Sequence, residues 1–318
     1  MRYSQGYGQG GGSLRGNGIL EEFKTAFSKP DNGLIQIILI NLAVFVAIIF
    51  LRVILNLSGN EGVYHAILEW LMMPAYLPTF LAKPWTLITY FFLHEGFMHI
   101  LFNMLFLYWF GNIIKEFLGG GKVVSLYVLG GIAGGLFYLM IYNIIPFFHD
   151  RIAGSVMLGA SGAVFAVVVG AATFMPNYTM HLLFLGPVRI KYIAILYVVL
   201  SFAQVTGSNA GGELAHLGGA AIGYLYIVQL RKGHDLGKGI HWVLTFFKSF
   251  FTRQSKVKVS YRKKAGKSSQ PKQSTKASSV AGQASQEEID AILDKISQSG
   301  YESLTKEEKQ QLFSASNK

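Results

Sequence analysis

Six apolar stretches, each close to the length that crosses a bilayer, dominate the pattern of hydrophobic and polar positions. A transmembrane helix needs about 20 mostly apolar residues, and the stretches predict spans at about 34–57, 97–118, 123–145, 161–175, 188–205 and 214–230. Pro146, Pro176 and Pro187 bound the third, fourth and fifth stretches, because proline does not continue a helix. The predicted fold class is an all-α membrane protein, a bundle of six transmembrane helices.

The segment between the first two spans, residues 58–96, is long but not fully polar. Residues 64–73 have the pattern of an amphipathic helix, and prolines interrupt the segment after them. Trp70, Tyr76 and Trp85 are aromatic residues of the kind that lie at the level of the lipid headgroups. We therefore expect this first loop to lie partly in the membrane.

The composition divides the chain into four segments. They are a disordered N-terminal segment with a short amphipathic piece (1–32), the six-span domain (33–230), a basic linker rich in Ser and Gln (231–284) and a small helical hairpin (285–318). The hairpin prediction rests on Ile289, Ile292 and Ile296, which recur at helical spacing, and on Thr305, which is placed to cap a second helix.

The composition of the chain also excludes several classes of protein and of functional site. The chain is 51% hydrophobic and 14% charged, whereas about a quarter of the residues of a soluble domain are charged. Disulfides, iron–sulfur clusters and thiolate catalysis are excluded because the chain contains no cysteine. The net charge of +11 is typical of cytoplasmic loops that contact anionic membrane lipid. We expect no nucleic-acid partner, metal or cofactor, and the oligomeric state stays open.

The distribution of Lys and Arg predicts the orientation of the spans. The first loop carries a single basic residue, Lys83, and the loop between the last two spans carries none. The terminal segments, the Lys115/Lys122 loop after the second span and the Arg189/Lys191 region at the start of the fifth span are basic. The positive-inside rule therefore places both termini in the cytoplasm.

In this orientation, strongly polar residues lie at matched depth on spans two, four and six. These spans enter from the extracytoplasmic side and carry His99 and Asn103, Ser161, and His216 in their first turns. A lone serine in a membrane helix is usually a packing residue, and a lone histidine usually hydrogen-bonds another helix. Four such residues at one depth favour a functional site, because polar groups inside a membrane are costly.

These residue types suit nucleophilic catalysis. A serine hydroxyl needs an adjacent base, and His216 can accept its proton and return it to the leaving amine. The oxyanion needs preorganised donors, which the side chains of His99 and Asn103 and the backbone N–H of Ser161 can supply. Glu213 precedes His216 by one turn, but we place it at the edge of the loop and predict a dyad.

Two other hydrolytic sites fit less well. His94 and His99 are five residues apart, whereas a helical zinc motif places two histidines four apart on one face. The segment around Ser161 lacks the final glycine of an α/β-hydrolase elbow. We also expect no strand before Ser161.

Four motifs in chain order resemble the rhomboid intramembrane serine proteases. The motifs are 94–104, 116–119, 159–162 and 215–223, and the resemblance extends over residues 34–230. It implies a rhomboid-like six-helix bundle with a partly embedded first loop. It also implies that Ser161 is the nucleophile, His216 the base, and His99 and Asn103 part of the oxyanion site. His94 would be a structural residue at a water-filled entrance.

The resemblance assigns further positions and shows two departures. Gly159 and Gly162 flank the nucleophile, and residues 206–213 correspond to a mobile cap. Phe165 occupies a position at which many bacterial members have Tyr, which keeps ring packing against His216 but loses the hydroxyl. Thr86 follows Trp85 where many members have Arg, which leaves the anchoring of the first loop open.

The resemblance implies a bacterial inner-membrane protease that cleaves transmembrane protein substrates, with its active site open to the extracytoplasmic side. The alternative is a catalytically inactive rhomboid-like protein that binds membrane partners. The presence of both Ser161 and His216 weighs against it. A transporter ranks last, because the spans show no repeat and no chain of acidic residues.

Overall fold

The computed structural model describes residues 25–29, 31–182, 186–251, 286–299, 303–305, 307–309 and 311–312. The chain divides into two compact units, residues 1–255 and residues 256–318. Most of the predicted N-terminal amphipathic piece lies outside the described residues. Residues 25–28, at its C-terminal end, are described and are helical. The first unit is a bundle of apolar helices, so the predicted all-α membrane class is confirmed.

The elements of the first unit follow the predicted stretches. In chain order they are α1 (Gly33–Leu57), α2 (Glu61–Leu71), β1 (Met73–Pro74), α3 (Leu77–Ala82), α4 (Thr86–Thr89), a 3₁₀ turn (Tyr90–Phe92), α5 (Phe97–Leu118), α6 (Gly120–Ile144), a second 3₁₀ turn (Pro146–Arg151), β2 (Val156–Met157), α7 (Ser161–Phe174), β3 (Thr179–Leu182), β4 (Gly186–Arg189), α8 (Ile190–Ala203), α9 (Ala210–Arg231) and α10 (Lys238–Phe251). Each of the six predicted spans coincides with one of the helices α1 and α5 to α9.

The six helices differ in length. Among the described residues, α1, α5 and α6 are long and apolar enough by themselves to cross a membrane. The apolar helices α7 and α8 have 14 residues each, which at 1.5 Å per residue is about 21 Å, less than the roughly 30 Å of a hydrocarbon core. If one end of such a helix reaches one surface of the bilayer, its other end lies inside the membrane, short of the opposite surface.

Helix α7 lies at the centre of the bundle. It packs against α5, α6, α8 and α9, and most of its residues from Gly162 to Ala172 are buried. A Cβ atom added to Gly219 of α9 would overlap the carbonyl oxygen of Gly162. The two helices are therefore in direct backbone contact, as small residues permit in membrane bundles.

The first loop is bound to the segment that precedes α7. Strands β1 and β2 pair antiparallel, with Met73 opposite Met157, and the N–H of Gly159 donates to the carbonyl of Tyr90 at 3.0 Å. The hydroxyl of Tyr90 donates in turn to the carbonyl of Gly131 in α6 at 2.6 Å. The expectation that no strand precedes Ser161 was wrong, because this pairing makes β2 a short strand.

Side chains of the first loop anchor it to neighbouring backbone, a point that the absence of an arginine after Trp85 had left undecided in the sequence. The indole N–H of Trp85 donates to the carbonyl of Trp70 at 2.8 Å, and the two rings stack with their centroids 5.4 Å apart. Thr86 is fully buried and donates to the carbonyl of Lys83 at 2.7 Å. Thr89 donates to the carbonyl of Leu71 at 2.6 Å. The loop is thus anchored without an arginine after Trp85.

A polar cluster lies at the end of the bundle where α6 begins and α9 ends. Asp235 forms an ion pair with Lys122 and accepts a hydrogen bond from the hydroxyl of Tyr226 at 3.1 Å. Burial raises the pKa of the Asp235 carboxyl, but hydrogen bonds, of which that from Lys122 is the strongest, outweigh burial and lower the pKa below its usual value. Residues 238–251 of the predicted linker form α10, and His241 of this helix lies 3.2 Å from the hydroxyl of Ser125.

The second unit contains α11 (Gln286–Ser299) and a short helical piece after Thr305. The hydroxyl of Thr305 accepts a hydrogen bond from the N–H of Glu308 at 3.3 Å, and the Glu308 carboxylate accepts one from the N–H of Thr305 at 2.8 Å. This is the reciprocal arrangement of a capping box. Lys295 of α11 contacts the same carboxylate at 2.9 Å.

Substitution of Gly219 by Ala tests the backbone contact. Its Cβ would meet a carbonyl oxygen that cannot move freely, so we expect the free energy of unfolding to fall by about 2 kcal/mol. Thermal unfolding in detergent measures the change. Gly239→Ala in α10 is the control, because no atom lies within 4 Å of its added Cβ. Equal stability of the two variants would contradict the close crossing.

Substitution of Asp235 by Asn tests the polar cluster. A carboxyl whose pKa is lowered by folding stabilises the protein above its unfolded pKa, and this contribution disappears as the pH falls through the folded pKa. We expect the free energy of unfolding of the wild type to exceed that of Asp235→Asn by about 1 kcal/mol at pH 7. The difference should disappear as the pH falls through the folded pKa of the carboxyl. Unfolding as a function of pH measures it, with the exposed Asp150→Asn as control. A difference independent of pH would argue against the charge of Asp235.

Candidate active site

A polar cavity of about 490 Å³ lies where α5, α7, α9 and the first loop meet. Its walls carry Met72, Glu95, His99, Tyr142, Ser155, Val156, Met157, Leu158, Ser161, Ser208, Asn209, Gly211, Gly212 and His216. The structure thus brings three of the four matched polar residues of the sequence, His99, Ser161 and His216, to one cavity.

Ser161 is the first residue of α7. Its backbone N–H belongs to the first turn, in which a helix offers no internal acceptor. Gly159, two residues earlier, has φ +132, and a Cβ added to it would lie 2.9 Å from Cε1 of His99. Glycine is therefore required at this position both by the backbone conformation and by the approach of the His99 ring to the serine segment.

His216 is held from two sides on α9. The ring of Phe165 stacks on the imidazole with centroids 4.2 Å apart and planes 5° from parallel. The Nδ1 atom lies 3.0 Å from the hydroxyl of Ser201 on α8 and 3.1 Å from a carboxylate oxygen of Glu213. Because Nδ1 is engaged in this way, Nε2 is the nitrogen that can exchange a proton with a reacting group.

Glu213 does not lie at the loop edge, as the sequence led us to expect. Helix α9 begins at Ala210, so that Glu213 stands in its first turn and only 8% of the residue is exposed. The same helix start absorbs residues 210–213 of the predicted mobile cap. The carboxylate is therefore buried beside His216.

A second, largely apolar cavity of about 350 Å³ reaches the same residues between α5 and α8. Asn103, His99, Ser161 and His216 contact it, together with Met98, Phe102, Phe106, Val164, Phe165, Val168 and Tyr197. Asn103 is buried and uses one amide hydrogen on the carbonyl of His99, at 2.9 Å. Its side chain has a second amide hydrogen with which it can donate.

His94 lies behind His99 rather than on either of these two cavities. Its ring is buried and packs edge-on against His99, with centroids 5.2 Å apart, and against Phe45. This position supports the ring of His99. Within the described part of the chain, no group of three or more His, Cys, Asp or Glu side chains could hold a metal ion.

Sequence reasoning placed Glu213 one turn before His216 but at the loop edge, and it did not identify Ser201. The spacing of Glu213 and His216 places them on one helix face, and this signal was present in the sequence. Ser201 gave no such signal, because a serine in an apolar stretch is most often a packing residue. Only the packing of α8 against α9 places it at Nδ1.

Comparison with known protein families gives two matches. Residues 81–233 match the Rhomboid domain, and residues 281–318 match a family of unknown function (DUF6576). Residues 81–233, nearly half of the chain, are therefore similar to the rhomboid family. The second match covers the part of the second unit that contains α11, so the chain joins a rhomboid domain to a segment of a separate family.

Curated relatives agree with the rhomboid assignment. RHOMBOID-like protein 12, mitochondrial, of Arabidopsis thaliana is 34% identical over 158 residues, which are 46% of this chain and 47% of the relative. Rhomboid protein 1, mitochondrial, of Saccharomyces cerevisiae is 34% identical over 148 residues, 42% and 38% of the two chains. Rhomboid protease GlpG of Klebsiella pneumoniae is 30% identical over 132 residues, 42% and 40% of the two chains. The chain spans less than half the length of these relatives.

Proposed function

We propose that this chain is a rhomboid-family intramembrane serine endopeptidase that hydrolyses peptide bonds in or near transmembrane segments of membrane proteins. Ser161 is the nucleophile and His216 the general base. The observation that carries the proposal is that both side chains line the same cavity while Nδ1 of His216 is held by neighbours. A serine beside an oriented histidine is the arrangement that activates a hydroxyl.

The reaction uses these groups in sequence. Ser161 Oγ attacks the carbonyl carbon as Nε2 of His216 takes the hydroxyl proton, and this proton then passes to the leaving amine. Water, activated by His216, hydrolyses the resulting acyl ester and frees the serine. We assign stabilisation of the oxyanion to the backbone N–H of Ser161 and the side chains of His99 and Asn103, which can donate hydrogen bonds. The reaction needs no cofactor.

The two cavities support a division between water and substrate. The polar cavity carries Glu95, Ser155, Ser208 and Asn209 and suits water. The apolar cavity between α5 and α8 suits the side chains of a transmembrane segment. A helical substrate must unwind locally before cleavage, since a helix hides its carbonyls in hydrogen bonds. We therefore expect small residues at the cut and helix-breaking residues beyond it.

In the topology that we propose, the protein has six spans in the inner membrane of a bacterium. Both termini lie in the cytoplasm, and the polar cavity opens to the extracytoplasmic side. The low content of Lys and Arg in residues 58–96 and in the loop before α9 supports this orientation. The alternative is a catalytically inactive rhomboid-like protein that binds membrane partners. The stacked and hydrogen-bonded His216 favours the enzyme, because simple binding does not need an oriented base.

Proteolysis in liposomes tests the activity. We expect purified wild type to cleave a single-span model substrate, with or without a metal chelator. Ser161→Ala and His216→Ala each lower the rate by at least about 10³-fold, because nucleophile and base act as one unit. The exposed residues Ser58 and His65 provide matched controls, Ser58→Ala and His65→Ala. Full cleavage by Ser161→Ala would refute the nucleophile, and no cleavage by wild type would favour the binding alternative.

Single cysteines test the orientation, because the natural chain has none. Gly62 on α2 and Gly239 on α10 have open space around an added side chain. An impermeant maleimide applied to intact spheroplasts should label Gly62→Cys and should label Gly239→Cys only after the membrane is permeabilised. The reverse pattern would invert the proposed topology, and labelling of both from outside would contradict six spans.

A further inference from the structure

We infer that Glu213 completes a Ser161–His216–Glu213 triad, as a positioning residue that acts through His216. It holds the histidine in the tautomer with hydrogen on Nδ1 and stabilises the imidazolium that forms when Ser161 is deprotonated. The inference rests on the proposed function of Ser161 and His216. It replaces the dyad that the sequence predicted.

The carboxylate of Glu213 is buried beside His216. Glu213 is 8% exposed and lies 3.1 Å from Nδ1 of His216, one helical turn away on the same face of α9. A buried carboxylate is costly unless it is paired and hydrogen-bonded. Its position in the first turn of α9 lowers this cost, since a helix N-terminus favours negative charge. The partner that the structure gives the carboxylate on its own helix is His216.

The carboxylate of Glu213 also decides the tautomer of His216. A base needs a free lone pair on Nε2, so the hydrogen of neutral His216 must be on Nδ1. A carboxylate only accepts hydrogen bonds, and it therefore selects the Nδ1–H form. The hydroxyl of Ser201, 3.0 Å from Nδ1, can donate or accept and by itself permits both tautomers. Glu213 is thus the neighbour that decides between them.

The negative charge of Glu213 favours the charged form of His216 that the reaction creates. Proton transfer from Ser161 turns His216 into a cation in a site enclosed by α5, α7, α8 and α9. Hydrogen bonds between ionised partners are stronger than those between neutral groups, so the carboxylate gains interaction energy as the imidazolium forms. The stacked ring of Phe165 fixes the imidazole plane. With Nδ1 bound to Glu213 in that plane, the direction of Nε2 is set as well.

The principal test compares Glu213→Gln with wild type in the liposome assay. We expect kcat to fall about 100-fold with KM nearly unchanged, less than the roughly 10⁴-fold loss in soluble triad proteases because Ser201 still contacts Nδ1. The acid limb of the kcat profile should move to lower pH, since removal of a carboxylate makes the imidazolium less stable. The other titratable residues on the polar cavity, Glu95, His99 and Tyr142, are the same in both proteins.

Glu61→Gln is the matched control. Glu61 also lies beside a histidine, 3.6 Å from Nε2 of His65, but both side chains are exposed on α2. This variant should keep the wild-type kcat and pH profile. Wild-type kcat and an unshifted acid limb in Glu213→Gln would overturn the triad while leaving the nucleophile and base intact. A loss of thermal stability without a shifted limb would show a merely structural carboxylate and would also overturn it.

Nitrogen-15 NMR of labelled histidine gives a readout that does not need turnover. Where His216 is neutral, we expect the Nδ1–H tautomer in wild type and a mixture of tautomers in Glu213→Gln. An Nε2–H tautomer in wild type would overturn the triad even if the variant proves too unstable for kinetics. If the wild type is inactive and its Ser161 does not react with a fluorophosphonate probe, both the proposed function and the triad are refuted.

Discussion

The backbone contact between α7 and α9 is the constraint on which the candidate site depends. Ser161 directly precedes Gly162, and His216 precedes Gly219 by less than one helical turn. Any side chain at this crossing would push the helices apart and separate the proposed nucleophile from the proposed base. In a membrane, where apolar surface gives helices little reason to associate, such close packing of small residues supplies the attraction.

A second constraint comes from polar groups that must be satisfied away from water. The carbonyl of Tyr90 accepts from Gly159, and β1 pairs with β2 just before Ser161. These bonds make the first loop a support for the serine segment rather than a simple connection. The loop is fixed in turn by Trp85, which contacts Trp70 through both its ring and its N–H. A partly embedded loop is stable only when its backbone groups are paired in this way.

The site lies at a boundary between two environments. A polar cavity approaches Ser161 and His216 from one side, and an apolar cavity approaches them from the side of α5 and α8. His216 reflects the same division, with an aromatic ring on its face and polar partners at Nδ1. Hydrolysis of a membrane-embedded bond requires both environments at one place, because water and an apolar segment must meet there.

The sequence alone determined the class of the protein, the six helical stretches and the residues that converge. Hydropathy, proline positions and the four-residue spacing of His99 and Asn103 are local properties, so a linear pattern reports them. Tertiary structure alone decided that Glu213 is buried and that a strand precedes Ser161. It also decided that Thr86 is buried and hydrogen-bonded in the first loop. The burial of Glu213 and of Thr86 and the pairing of β1 with β2 each depend on contacts between segments far apart in the chain. Burial and pairing are set by such contacts, and the order of residues does not record them.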